Sequence, residues 1–254
     1  MTNRSTSRVL IGIPVYNEEK YVQTVLDEVR RYADDILVID DGSTDHTPLR
    51  LAEQPVEVIR HAENRGYGRS MQDMLRWARF DGFDWLITMD CDEQHEPAAI
   101  PSFLEAIARD DSDVISGSRY LVGTPLDDAP PEDRRSINRT ITTELNQRLA
   151  LGITDAFCGF KAYRVEPCAA LTLSVDGYDF PMQFWVQAAA HGLRVEELPV
   201  RLIYNDPSRS FGGPLDNADR RLAHYTATLE DEYRRACDHL CVNVVAPCRL
   251  CASG

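Results

Sequence analysis

The chain has 254 residues, of which 43% are hydrophobic and 27% are charged, and its formal net charge at pH 7 is −14. This composition is typical of a folded globular domain and excludes an intrinsically disordered protein. The acidic balance excludes non-specific binding to nucleic acid, which needs a basic face, and simple electrostatic attachment to an anionic membrane.

No stretch of the sequence approaches the roughly 20 apolar residues that span a bilayer, and residues 1–8 lack the apolar core of a signal peptide. We therefore expect a cytoplasmic protein with reduced thiols and no transmembrane segment, with peripheral contact possible at the inner face of the membrane. A predicted C-terminal tail over 236–254 holds Cys237, Cys241, Cys248 and Cys251. Because their spacing fits no standard zinc pattern well, a poorly ordered tail is favoured over a metal site.

Strands and helices alternate along the first 120 residues. Apolar runs predict buried strands over 9–14, 35–40, 56–60, 86–89 and 113–117. The spacing of apolar residues predicts helices over 18–32, 47–53 and 97–109, and a further helix that begins at 66–68. This alternation predicts an α/β fold with a mainly parallel, Rossmann-like sheet and helices on both faces.

The second half of the chain is less regular. Residues 121–133 are rich in proline and acidic residues and are predicted to form a loop. Helices are predicted over 135–151 and 180–191, with a segment over 155–164 between them and a strand over 194–204. We therefore expect a disordered N-terminus over 1–8 and a single domain over 9–235, with halves of about 9–120 and 121–235.

Asp90 and Asp92 directly follow the strand predicted over 86–89, and Gln94 and His95 come just after them. Open α/β sheets bind their ligands at the carboxyl ends of the strands. Two carboxylates at that edge suit Mg²⁺ or Mn²⁺ held by protein carboxylates and substrate phosphate. The alternative is an acidic surface turn, because so short a motif also occurs by chance. For His95, a phosphate contact and a structural hydrogen bond are both open.

The polar segments 14–18 and 40–45 follow the first two predicted strands. Right-handed crossovers put the carboxyl ends of parallel strands along one edge of the sheet. These two segments are therefore expected to share an edge with Asp90 and Asp92, which makes a chance acidic turn a poor explanation.

Together these motifs resemble those of the family 2 glycosyltransferases, which have the GT-A fold. The resemblance extends to segments 117–120, 134–135, 155–164 and 177–180, which look like the polyprenyl-phosphate (dolichyl-phosphate) mannosyltransferase branch. It implies inverting, metal-dependent transfer of a hexose, mannose or glucose, from a GDP- or UDP-sugar to polyprenyl phosphate. It also makes 9–120 the nucleotide-sugar half and 121–235 the acceptor half.

By this resemblance Asp90, Asp92 and Gln94 hold Mg²⁺ or Mn²⁺, which acts mainly as a Lewis acid on the departing diphosphate. The residues implied to bind the nucleotide sugar are Pro14, Tyr16, Asn17, Glu18, Asp40, Asp41, Gly68, Asp90 and Cys91. For Asp40 and Asp41 the alternative is an Asp-Gly turn, and for Glu18 it is a favourable charge at a helix N-terminus. Strand alternation directs the side chain of Cys91 away from the two aspartates and into the core.

Arginines supply the other implied contacts. Arg119, Arg134 and Arg135 stand where the resemblance puts phosphate-binding groups, and a planar guanidinium suits bidentate phosphate binding. The segment around Arg209 matches only loosely the C-terminal Gly-x-Ser-Lys motif that is usual in the branch. Asp92, Arg119 and Arg135 are the predicted catalytic residues. The alternative for the arginines is a solvated charge run beside an acidic loop.

Three departures from the branch fall in the acceptor half: Phe157-Cys158 in place of Thr-Ser, Asn138 in place of serine, and Gln183 in place of glutamate. They motivate a second hypothesis, the same fold acting on a soluble hydroxyl acceptor, which would need a carboxylate or histidine base. A third hypothesis is a non-catalytic nucleotide-sugar-binding module, against which the intact Asp90, Asp92 and Arg119 argue.

Overall fold

A seven-stranded sheet organises the computed structural model, which describes residues 7–121, 128, 130–204 and 212–243. Its strands are β1 (Val9–Val15), β2 (Ile36–Asp40), β3 (Glu57–Arg60), β4 (Trp85–Thr88), β5 (Val114–Ser118), β6 (Lys161–Arg164) and β7 (Val195–Pro199). Their order across the sheet is β3-β2-β1-β4-β6-β5-β7. The mainly parallel α/β fold expected from the sequence is confirmed.

Strand β6 runs antiparallel to both of its neighbours, β4 and β5, whereas the other pairs are parallel. Its first residue, Lys161, lies opposite Thr88, the last residue of β4. The chain therefore enters β6 from the edge at which the parallel strands end. This reversal carries residues 155–160 to the same edge as Asp90 and Asp92.

The described part of the chain contains eight α-helices. They are α1 (Val22–Val29), α2 (Thr47–Leu51), α3 (Tyr67–Phe80), α4 (Ile100–Arg109), α5 (Glu132–Leu149), α6 (Val165–Ala169), α7 (Phe180–Ala190) and α8 (Ala218–Asn243). Helix α5 begins three residues before its predicted start. Pro131 has an extended backbone conformation and ends the preceding segment, and the negative charges of Glu132 and Asp133 favour the N-terminal turn of the helix. The strand predicted over 194–204 is confined to Val195–Pro199.

Helix α8 is the element that the sequence prediction missed. It runs through the boundary at 235/236 that separates the predicted domain from the predicted tail. Tyr225, Leu229, Tyr233 and Ala236 recur at helical spacing and are buried in the core cluster that lies under α3, α5 and α7. Cys237, in the predicted tail, is a free thiol on this helix. In the ranges that the structure describes, no helix is long and apolar enough to cross a membrane.

Candidate active site

A cavity of about 510 Å³ lies at the carboxyl edge of the sheet. Ten of the predicted site residues line it: Pro14, Tyr16, Glu18, Asp41, Asp90, Cys91, Asp92, Gln94, Arg119 and Arg134. The strand ends therefore bring together the three motifs that the sequence placed on one edge. Glu18 lines the cavity, and its carbonyl oxygen accepts from the backbone N–H groups of Tyr21 and Val22 in the turn that leads into α1, so substrate binding and a helix N-terminal charge both stay predictions for Glu18.

Of the predicted residues that the structure describes, four do not line the cavity: Asn17, Asp40, Gly68 and Arg135. Asn17 adopts a left-handed conformation (φ 55°), and its side-chain oxygen accepts hydrogen bonds from the backbone of Thr44 and Asp45. Arg135 is exposed on α5. Their direct contacts with substrate stay predictions, and Arg209 lies outside the described residues.

Gly68 and Asp40 also stand behind the cavity wall. A Cβ at Gly68 would lie 2.2 Å from the carbonyl oxygen of Val175, so glycine is needed there for the close approach of two backbones. Asp40 is fully buried, accepts a hydrogen bond from the backbone of Ser43 and lies 3.1 Å from Arg60 Nε. The Asp-Gly turn interpretation therefore fits Asp40, since its carboxylate holds the turn that follows β2.

Asp41 lines the cavity and at the same time anchors the loop before α3. Its carboxylate accepts hydrogen bonds from the backbone of Arg65 and Gly66, each at 2.8 Å. Its Oδ1 is 2.6 Å from His61 Nδ1, and His61 Nε2 is 3.1 Å from Asp73. The His61 ring therefore links the Asp41 carboxylate to that of Asp73 and helps to hold Asp41 in place. Asp41 is thus a fixed acceptor at one end of the cavity.

The loop after β4 holds the predicted metal ligands in place. The backbone N–H of Asp90 donates to His95 Nδ1 at 3.0 Å, and the backbone N–H of Gln94 donates to Asp92 Oδ1 at 3.0 Å. A Cβ at Gly159 would lie 2.7 Å from an Asp90 carboxylate oxygen, so the glycine leaves the space that this carboxylate occupies.

His95 acts as a structural hydrogen bonder rather than a phosphate contact. It is buried beside Phe160, and burial lowers the pKa of His95 to about 4. Because Nδ1 accepts from Asp90, the neutral ring carries its proton on Nε2. The neutral, buried imidazole therefore holds the backbone N–H of Asp90 in place.

The residues of this loop fit a divalent cation that also takes oxygen ligands from its substrate. Asp90 and Asp92 supply carboxylates, and the buried Nε2 of the Gln94 amide has no hydrogen-bond partner in the described protein. Rotation of this amide by 180° exchanges its nitrogen and its carbonyl oxygen, so the oxygen can take the unpartnered position. Within the described ranges no group of three His, Cys, Asp or Glu side chains forms a metal site by itself. Mg²⁺ is commonly held by one or two carboxylates with substrate phosphates, which matches this set.

One side of the cavity is built around a buried ion pair between Arg119 and Asp155. The Arg119 Nε and Nη2 atoms lie 2.7 and 2.9 Å from the two carboxylate oxygens. Asn138 donates a further hydrogen bond to Asp155 at 2.7 Å, and Thr142 donates to Asn138. Burial alone would raise the pKa of Asp155, but the Arg119 charge and these hydrogen bonds hold that pKa well below its usual range. Asp155 therefore fixes the Arg119 guanidinium in the cavity wall.

Lys161 and Arg221 are cavity residues to which the sequence prediction gave no role. Lys161 is buried, donates to the carbonyl oxygen of Cys158 and lies 5.4 Å from the Trp185 ring centroid. Burial lowers the pKa of Lys161, whereas the negative charge of Asp155 raises it. The available signal in the sequence was a lysine between the apolar residues Phe160 and Ala162.

Arg221 comes from α8 and is also buried. It donates to Asp133 at 2.6 Å and to the carbonyl oxygen of Leu215 at 2.7 Å. Asp133 belongs to the first turn of α5, the turn from which Arg134 reaches the cavity. Arg221 thus joins α8 to the turn that presents Arg134.

Aromatic side chains fill much of the remaining wall. They are Tyr67, Tyr120, Phe157, Tyr163, Tyr178, Phe180, Phe184, Tyr204 and Tyr225. Phe157 packs against Tyr225 with 5.1 Å between ring centroids, and Tyr67 stacks on Tyr178 at 6.0 Å. The departure at Phe157 therefore gives this part of the cavity wall an apolar surface.

Charge divides the cavity into two sides. The acidic lining residues Glu18, Asp41, Asp90 and Asp92 follow the neighbouring strands β1, β2 and β4. The basic lining residues are Arg119, which directly follows β5, Lys161 of β6, Arg134 of α5 and Arg221 of α8, and β6 and β5 lie on the far side of β4 in the sheet. The acidic side suits a metal and the polar groups of a nucleoside, and the basic side suits an anion. Gln183 lies outside this lining: its amide accepts from the backbone of Ser174 and Val175 and donates to buried Glu232.

A mainly parallel α/β sheet with a cavity at the carboxyl ends of its strands is typical of nucleotide-binding α/β enzymes. The sequence model described as glycosyl transferase family 2 matches residues 10–172. The chain therefore belongs to glycosyl transferase family 2 and is a glycosyltransferase.

Two relatives and one solved structure illustrate the likeness. The undecaprenyl-phosphate mannosyltransferase of Micrococcus luteus is 31% identical over 223 residues, covering 83% of this chain and 90% of the relative. The polyprenol monophosphomannose synthase of Mycolicibacterium smegmatis is 32% identical over 210 residues, 78% of each chain. Glucosyl-3-phosphoglycerate synthase from Mycobacterium tuberculosis, solved with UDP, superposes with a TM-score of 0.68 over 89% of this chain and 80% of that one, at 18% identity. The last likeness concerns the fold alone.

Proposed function

We propose that this glycosyltransferase moves a hexose, mannose or glucose, from a GDP- or UDP-sugar to the phosphate of a polyprenyl phosphate, with inversion at the anomeric carbon. The observation that carries the proposal is the division of one cavity into an acidic side and a basic, aromatic side. The two named relatives, a mannosyltransferase of undecaprenyl phosphate and a polyprenol monophosphomannose synthase, support the same acceptor.

On the donor side, Pro14, Tyr16 and Asp41 line the end of the cavity where the nucleoside would bind. Asp90, Asp92 and Gln94 would hold Mg²⁺ or Mn²⁺. When bound, such an ion offsets the charge that develops on the departing diphosphate. The protein's part is to fix these donors beforehand through His95 and the turn from Asp92 to Gln94.

On the acceptor side, Arg119 and Arg134 would bind the phosphate of the lipid. A phosphate monoester is already an anion at neutral pH, because its second pKa is about 6, so its attack needs no strong general base. One phosphate oxygen forms the new bond to the anomeric carbon, and the bond from that carbon to the diphosphate oxygen breaks. The diphosphate leaves with the electron pair.

Next to the phosphate, the Phe157 and Tyr225 rings offer an apolar surface to the first isoprene unit of the lipid. The acceptor is a membrane lipid, so we expect the enzyme to reach it by peripheral contact with the membrane. These features favour the lipid phosphate over a soluble hydroxyl acceptor.

The test is an acceptor screen with UDP- and GDP-linked glucose and mannose, each with Mg²⁺, Mn²⁺ or EDTA. Short prenyl phosphates are compared with the matching prenyl alcohols and with 3-phosphoglycerate. We expect transfer to the prenyl phosphate that depends on the cation and on one donor. Transfer to the alcohol at an equal rate, or to 3-phosphoglycerate in preference, would overturn the proposed acceptor.

A further inference from the structure

Buried polar atoms without a partner mark places where a ligand is expected to complete the hydrogen bonding. In the described part of the chain six side-chain atoms are of this kind: Asp40 Oδ2, Gln54 Oε1, Ser70 Oγ, Gln94 Nε2, Ser112 Oγ and the Tyr233 hydroxyl. Only two of them belong to residues that line the cavity, Gln94 and Ser70. Gln94 already has a role as a predicted metal ligand, whereas nothing above uses Ser70.

Ser70 lies in the first turns of α3, at the donor end of the cavity. The residue is fully buried, and its backbone N–H bonds to the carbonyl oxygen of Gly66. The N–H of Gly66 in turn donates to Asp41 at 2.8 Å. The backbone of Gly66 thus links Ser70 to Asp41, which faces the nucleoside in the proposed function.

A serine at this position is unfavourable for the protein without substrate. An unpartnered buried hydroxyl destabilises the folded state, and serine is a poorer helix former than alanine. We propose that the Ser70 hydroxyl is a substrate contact that binds the nucleoside part of the donor. It can both donate and accept, so a base carbonyl, a ring N–H or a ribose hydroxyl would satisfy it. This inference rests on the proposed nucleotide-sugar donor.

The experiment compares Ser70→Ala with Ser112→Ala. Ser112 is a matched control, because its hydroxyl is also buried and unpartnered but the residue lies just before β5, outside the cavity lining. Calorimetry measures the affinity for UDP, GDP, UMP and GMP with Mn²⁺, and thermal melting measures each protein alone.

We expect both variants to raise the Tm of the protein alone by about 2 °C, since each removes an unsatisfied hydroxyl. Ser70→Ala should weaken the preferred nucleotide diphosphate and its monophosphate about three- to tenfold, and Ser112→Ala should weaken neither.

Wild-type affinity of Ser70→Ala for all four nucleotides would overturn the role of Ser70 and leave the proposed function standing. An affinity loss confined to the diphosphates would also overturn it, because the contact would then lie at the β-phosphate. A wild-type protein that binds neither UDP nor GDP would instead overturn the proposed function.

Discussion

The acidic side of the cavity, which we propose binds the donor, and the basic side, which we propose binds the acceptor, are built in different ways. On the donor side, each lining carboxylate follows a parallel strand within a few residues, and backbone N–H groups donate to Asp41 and Asp92. On the acceptor side, the cations come from four elements that are distant in sequence, and long-range pairs such as Arg119–Asp155 and Arg221–Asp133 orient them. The donor site therefore depends on short motifs, and the acceptor site depends on tertiary packing.

The strongest test of the donor side is Asp92→Ala. Loss of one predicted metal carboxylate should lower kcat/KM about 10³-fold, equivalent to about 4 kcal/mol of transition-state stabilisation, without unfolding the protein. Steady-state transfer with Mn²⁺ and a melting curve measure the two effects. Glu93→Gln is the control, because this neighbouring acid does not line the cavity. Undiminished turnover of Asp92→Ala would remove the metal from the mechanism.

On the acceptor side, Asp155→Asn should lower the free energy of unfolding by about 3 kcal/mol, since it leaves the Arg119 charge without its buried partner. Urea denaturation measures this loss. Asp81→Asn is the control, because it breaks a half-exposed pair with Arg8 and should cost less than 1 kcal/mol.

The same pair predicts a dependence on pH. The pKa of Asp155 is lowered in the folded protein, so its contribution is fully present above about pH 4 and is lost as the pH falls below that value. The unfolding free energy of wild type should therefore decline more steeply below pH 4 than that of Asp155→Asn. Equal slopes would contradict the ionised, paired state of Asp155.

Arg221→Met tests whether α8 positions the acceptor site. Without its bond to Asp133, the first turn of α5 is less fixed, and we expect the KM for a prenyl phosphate to rise about tenfold, a loss of about 1.4 kcal/mol. The KM for the nucleotide sugar should stay within twofold. Arg220→Met changes the exposed neighbour on the same helix and should alter neither constant. An equal rise in both KM values would show that the two sides are not separable.

The smallest expected effect concerns Gln183→Glu. A second carboxylate beside buried Glu232 should destabilise the fold by about 1 kcal/mol, because the amide donor to Glu232 is lost. Urea denaturation of the variant measures this change. Adding Glu232→Gln should restore most of the stability, as a double-mutant cycle would show. If Gln183→Glu instead changed acceptor choice without a loss of stability, Gln183 would belong to the site.

The sequence predicted the donor side well because its signals are local. Apolar runs followed by polar residues identified β1, β2 and β4, and parallel topology brought Glu18, Asp41 and Asp90 to one cavity. The same reasoning did not show that Asp41 lines the cavity and Asp40 does not. The two residues are adjacent in one motif, but their side chains point in different directions. Only the packing of the turn decides which of the two faces the cavity.

The acceptor side was predicted only in part. Arg119 and Arg134 were identified from the family resemblance, but the partner of Arg119 depends on the antiparallel direction of β6, for which the sequence carries no clear signal. Helix α8 had a signal in the helical spacing of Leu222, Tyr225 and Leu229, which its many charged residues obscured. Missing that helix meant missing Arg221 as well. The departure at Gln183 reflects its pairing with α8 in the described structure rather than the acceptor.

At the start of α3 the two sides of the cavity touch backbone to backbone. Cβ atoms at Gly66 and Gly68 would lie 2.3 and 2.2 Å from the carbonyl oxygens of Asp176 and Val175. The two main chains are therefore as close as they can be at this contact, and a side chain added to either glycine would push segment 175–176 away from α3. We expect changes of substrate range to arise at groups that project into the cavity, such as half-exposed Tyr178, rather than at this contact.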